Sequence, residues 1–124
     1  MNHDNMLENQ ELIKNAYAGF NSRNADAVLS VMHPNIHWPK AFEGGYVIGR
    51  NAVKEYWTRQ WSEINPIVEP LIISTCADGK TQVEVYQLVK DLEGKILFDG
   101  KVKHIYVIKD GLLQHMDIEL TDLV

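Results

Sequence analysis

Apolar residues in the first part of the chain recur at three- and four-residue spacing. Between Leu7 and Phe20 they are Leu12, Ile13, Ala16, Tyr17 and Phe20, which fall on one face of a helix. Asn21-Ser22-Arg23-Asn24 interrupts the pattern, and Asn24 is placed to cap a second helix running to Met32. His33-Pro34-Asn35 ends that helix, because the residue before a proline is pushed out of helical angles. Ile36-His37-Trp38-Pro39 reads as a short first strand. The loop Glu43-Gly44-Gly45-Tyr46 leads to a third helix, from about Arg50 to Ile64, with a core stripe of Val53, Tyr56, Trp57, Gln60, Trp61 and Ile64 and a stop at Pro66.

The pattern then changes to strand after strand. Ile67 to Cys76 and Thr81 to Lys90 flank Ala77-Asp78-Gly79-Lys80, a hairpin signal. Asp91-Leu92-Glu93-Gly94 turns into Lys95 to Ile108, and Lys109-Asp110-Gly111 turns into Leu112 to Glu119. Helices first and a meander afterwards predict an α+β domain, with the helices covering one face of a curved antiparallel sheet around an apolar pocket. A length of 124 residues fits one domain spanning residues 1–124.

Composition narrows the function classes. The 17 acidic side chains outnumber the 12 basic ones, and the basic residues are scattered, so a phosphate backbone is repelled and nucleic acid is not the expected partner. The single cysteine, Cys76, excludes an internal disulfide framework and points to a reducing compartment; with no basic neighbour it reads as a structural thiol. The polar start Met1-Asn2-His3-Asp4-Asn5 and the lack of a long apolar run predict neither a signal peptide nor a membrane span, hence a cytoplasmic protein. The histidines at 3, 33, 37, 104 and 115 show no i, i+4 helical pair and no cysteine partners, so no metal site is predicted. There is also no glycine-rich phosphate loop and no Gly-x-Ser-x-Gly elbow, and no cofactor is expected.

The stretches Tyr17 to Met32, Ile36-His37-Trp38-Pro39, Gly49 to Trp57 and Lys109 to Leu113 resemble the nuclear transport factor 2-like superfamily, which includes ketosteroid isomerases, scytalone dehydratases and SnoaL-like polyketide cyclases. The resemblance covers nearly the whole chain and implies a cone-shaped, cystatin-like sheet wrapped on the N-terminal helices. It identifies a fold better than a reaction, since one fold hosts many functions. The isomerases place a general-base carboxylate where this chain has Trp38, a tyrosine donor one residue out of register with Tyr17, and a protonated acid where it has Lys103. Those three departures argue against steroid isomerase chemistry. The resemblance also puts Met116 and Ile118 on the pocket face and implies a homodimer.

A register argument brings further polar residues together. If Asp110-Gly111 is a two-residue type I′ loop, Lys109 pairs with Leu112, His104 faces Asp117, and Tyr106 faces His115, all on one sheet face. A carboxylate opposite an imidazole would form a general acid/base pair, which makes His104 and Asp117 the catalytic candidates. A three-residue loop with a glycine bulge would instead shift the pairing and separate the two. The uncovered sheet face would carry Val102, Tyr106, Ile108 and Leu113 beside His104, His115 and Asp117, a mixture suited to the homodimer contact. Along the first strand Trp38 is expected inward and His37 outward. Tyr17, Trp38, Tyr46, Trp57 and Trp61, with Lys103 and Met116, are the candidate substrate-binding residues, because aromatic residues concentrate in the segment that roofs the sheet.

Two readings stay open. One is an isomerase, cyclase or dehydratase acting without a cofactor on a small apolar molecule. The other is a non-catalytic binding or dimerisation module. A titratable side chain inside the pocket separates them.

Overall fold

The computed structural model describes the backbone of residues 2–40 and 43–120 and the side chains of residues 7–40 and 43–119. Helix α1 spans Asn2–Asn21, α2 Ala25–Leu29 and α3 Arg50–Trp61; the strands are β1 Met32–Pro39, β2 Tyr46–Ile48, β3 Ile64–Thr75, β4 Thr81–Asp91, β5 Ile96–Lys109 and β6 Leu112–Leu120. They form one curved sheet in the order β2-β1-β6-β5-β4-β3, antiparallel except where β1 runs parallel to β6. The helices lie against its concave face. Among the described residues no helix is long and apolar enough to cross a membrane.

Alternation along the strands sets which residues form the core. On β4, Thr81, Val83, Val85 and Val89 are buried; on β5, Val102, His104 and Tyr106 are buried, and the residues between them are half-exposed. Ile13, Ala16 and Tyr17 of α1 and Val53, Tyr56 and Trp57 of α3 close over that face, as their helical spacing predicts. Asn24 caps α2 by accepting from the Ala27 N–H.

The boundaries near the prolines differ from the sequence reading. Helix α2 stops at Leu29, and Met32 already belongs to β1, where the Arg50 side chain donates to its carbonyl from Nε at 2.9 Å. Pro66 does not stop α3. It lies inside β3, the edge strand, where a missing N–H leaves no ladder bond unmade. Tyr46, expected in a loop, begins a three-residue strand, Tyr46–Ile48, that pairs with β1. Cys76 sits half-buried just past β3, and its N–H closes the hairpin on the Lys80 carbonyl.

The β5–β6 hairpin decides the layout of the polar residues. Asp110 at φ 56° and Gly111 at φ 73° make the two-residue turn, and Lys109 pairs with Leu112 as expected. A bulge follows at once: Ile108 pairs with Leu113, but Val107 pairs with His115, leaving Gln114 unopposed. From there every partner is shifted by one. His104 lies opposite Ile118, and Asp117 lies opposite Ile105. His104 and Asp117 are therefore on opposite faces of the sheet, which removes the predicted pair. The expected dimer face is overturned as well, since Val102, His104, Tyr106 and Leu113 point to the helix-covered face and are 5% exposed or less within a single chain.

Candidate functional site

Two residues of β5 and one of α1 build a polar chain inside the core. His104 and Tyr106, two apart, project to the same concave face, and Tyr17 descends on them from the buried stripe of α1. The Tyr106 hydroxyl donates to the Tyr17 hydroxyl at 2.9 Å. Tyr17 in turn lies 2.5 Å from His104 Nδ1. Having accepted from Tyr106, Tyr17 has its own proton to give to Nδ1, and the ring takes the tautomer protonated on Nε2.

Burial governs the charge of all three. Loss of hydration lowers the His104 pKa to about 3, so the ring is neutral at physiological pH. Burial also raises both tyrosines, Tyr17 further through its neighbour Tyr106. The site is an uncharged hydrogen-bonded chain rather than an ion pair.

Beside this chain lies a small cavity of about 30 Å³. Its wall is almost wholly carbon, from Tyr17, Phe20, Trp38, Trp57, His104 and Tyr106 together with small aliphatic side chains. No Asp, Glu, Lys or Arg is among the described lining residues. The aromatic side of the wall is ordered: Trp38 meets Trp57 edge-on at 5.2 Å, Phe20 meets Trp57 edge-on at 5.3 Å, and Trp61 stacks behind Trp57 at 5.7 Å. The indole N–H groups of Trp57 and Trp61 are buried without a hydrogen-bond partner among the described residues.

The structure thus gathers Tyr17, Trp38, Trp57 and His104 at one cavity. Trp61 backs the wall without lining it, and Met116, buried opposite Tyr106, belongs to the adjoining core. Three expected residues lie elsewhere. Lys103 faces outward opposite Glu84, since inward and outward positions alternate and His104 is inward. Tyr46, on β2, is 42% exposed and donates to Asp117. Asp117, turned outward by the bulge, also holds His115 Nε2 at 3.1 Å. Sequence reasoning passed over Tyr106 and Phe20 as site residues. Two signals could have found them: Tyr106 shares a face with His104 two residues away, and Phe20 is next to Tyr17 on the α1 stripe.

The chain matches the SnoaL-like domain family over residues 13–116. None of the curated proteins matches it. Among solved structures it is similar to TerC, crystallised with polyporic acid, at 25% identity over 92% of each chain and a TM-score of 0.79. It is similar in fold to a nuclear transport factor 2-like protein of unknown function from Burkholderia pseudomallei, at 17% identity over 92% of this chain and 91% of that one, TM-score 0.79. A candidate polyketide cyclase from Xanthomonas campestris gives 16% identity over 92% and 90% of the two chains, TM-score 0.74. The chain belongs to the SnoaL-like domain family, with the nuclear transport factor 2-like fold.

Proposed function

We propose that the cavity binds a flat, largely apolar molecule through one oxygen atom and polarises that oxygen, as an isomerase or cyclase without a cofactor would. The observation that carries this reading is the Tyr106–Tyr17–His104 chain, which ends on a neutral imidazole in a carbon-walled cavity. With Nδ1 occupied by Tyr17, the remaining donor of the ring is Nε2–H. In a site without water a fixed donor stabilises negative charge growing on a ligand carbonyl, and no proton need move onto the protein. A proton leaving carbon would pass to water or to a basic oxygen of the ligand, because no described lining residue is ionised. The cavity has room for only a couple of waters, so a ligand must widen it on entry. The similarity to TerC, crystallised with polyporic acid, supports a small-molecule occupant.

One observation favours a second reading, a binding module without turnover. A general base works best with a pKa near the operating pH, and His104 at about 3 is far from it. Calorimetric titration with polyporic acid and with 2-acetylnaphthalene tests the site, and product analysis of the same mixtures separates the readings. Saturable binding, weakened at least about tenfold by His104→Leu and by Trp38→Ala, is the expected result. No saturable binding of either probe, or equal affinity in His104→Leu, would contradict it.

We also propose that the outer sheet face pairs two chains. The face carries half-exposed Ile105 and Val107 beside Lys103 and Glu84, a self-complementary mixture of apolar groups and opposite charges.

A further inference from the structure

The outer face holds a second group of polar side chains, on the other side of the sheet from the cavity. Parallel pairing of β1 with β6 sets His37 directly beside His115. Their rings stack at 5.5 Å between centroids, with 28° between planes. Tyr46 from β2 packs against both, at 6.3 Å and 5.1 Å.

The hydrogen bonds fix both tautomers. His37 Nδ1 lies 2.9 Å from the Asn35 carbonyl. A carbonyl only accepts, so Nδ1 carries the proton and Nε2 keeps its lone pair. His115 Nε2 lies 3.1 Å from the Asp117 carboxylate, which places the proton on Nε2 and the lone pair on Nδ1. Tyr46 donates to the other oxygen of the same carboxylate and steadies it. Metal-binding histidines are held in this way: one ring nitrogen donates to a carboxylate or backbone carbonyl, and the other is left to coordinate. Here two neighbouring rings show both versions of that support.

We propose that His37 Nε2 and His115 Nδ1 form a binding site for a divalent late first-row metal ion, on the outer face at the β1–β6 junction. Both residues are half-exposed within the single chain, so an ion can approach their free nitrogens. Imidazole nitrogen suits Cu²⁺, Ni²⁺ and Zn²⁺. The pair supplies two protein ligands from one chain; among the described residues no group of three His, Cys, Asp or Glu side chains could hold a metal. Helical spacing rules could not have found it, because the two histidines lie on strands far apart in sequence.

The test is calorimetric titration of the full, untagged chain with Zn²⁺ and with Cu²⁺. The expected result is one ion per chain, with affinity reduced at least about tenfold by His37→Ala and by His115→Ala. Asp117→Asn should weaken binding by about 10–100-fold, the usual effect of removing a residue that orients a metal-binding histidine. His33→Ala should bind like the unchanged chain. In the unchanged protein, paramagnetic Cu²⁺ should broaden backbone amide resonances around His37 and His115 first, which guards against misfolded variants. Absence of stoichiometric binding, unchanged affinity in His37→Ala, or broadening centred elsewhere would overturn the proposal.

Discussion

Tyr17 on the first helix and His104 on the fifth strand meet at 2.5 Å across 87 residues of chain. This contact ties helix to sheet and sets the imidazole tautomer at the cavity. Packing and chemistry therefore share one hydrogen bond, and each can be tested through it.

Acid should weaken the fold through His104. Its pKa falls from 6.5 to about 3 on folding. Above pH ~6.5 the ring is neutral in both states; below that, the unfolded chain takes up a proton that the folded one refuses, so stability falls with pH. Between pH ~6.5 and pH ~4.5 the loss should be about 2 kcal/mol. Urea unfolding at several pH values should show this slope in the unchanged protein and a flatter one in His104→Phe. An equal slope in the two would contradict the buried neutral ring.

Tyr17→Phe should destabilise more than Tyr106→Phe. The first leaves both His104 Nδ1 and the Tyr106 hydroxyl without a partner, at a cost of about 1–3 kcal/mol for each buried group. The second leaves the Tyr17–His104 bond intact and should cost about 1 kcal/mol. Denaturant midpoints at constant slope measure the order; the reverse order would mean that Tyr17 is not the link in the chain.

The tryptophans should divide by role. Trp57 is fully buried, and Trp57→Ala should cost about 3–5 kcal/mol. Trp38 is half-buried, so Trp38→Ala should cost clearly less while still impairing ligand binding. Thermal unfolding of the two variants gives the comparison, and similar losses would show that Trp38 is plain core.

Pairing through the outer face predicts sedimentation at about twice the 14.2 kDa chain mass at micromolar concentration. Ile105→Asp, on that face, should give a folded monomer because pairing would bury an unpaired carboxylate. A monomer in the unchanged protein, or a dimer unaffected by Ile105→Asp, would locate any contact elsewhere.

Helical spacing placed Tyr17, Val53 and Trp57 on the inner face, and strand alternation placed Trp38 inward, because burial periodicity is a local property. The Asp110-Gly111 turn was equally legible, since both positions need positive φ. The bulge at Gln114 was not, because nothing in its neighbours marks an extra residue. That one residue sends Asp117 outward and leaves His104 with the tyrosines. The parallel β1–β6 pairing was hidden as well, since it joins segments from opposite ends of the chain, and with it the His37–His115 stack.

The most direct test of the cavity account is the set of imidazole ¹⁵N chemical shifts of His104, followed with pH and with an added oxygen-bearing aromatic ligand. The account predicts an unprotonated Nδ1 and a protonated Nε2 that persist unchanged to at least about pH 5, and a ligand-induced shift concentrated on Nε2. A ring that titrates near its ordinary value of 6.5, or a bound ligand that leaves both nitrogens unmoved, would contradict it.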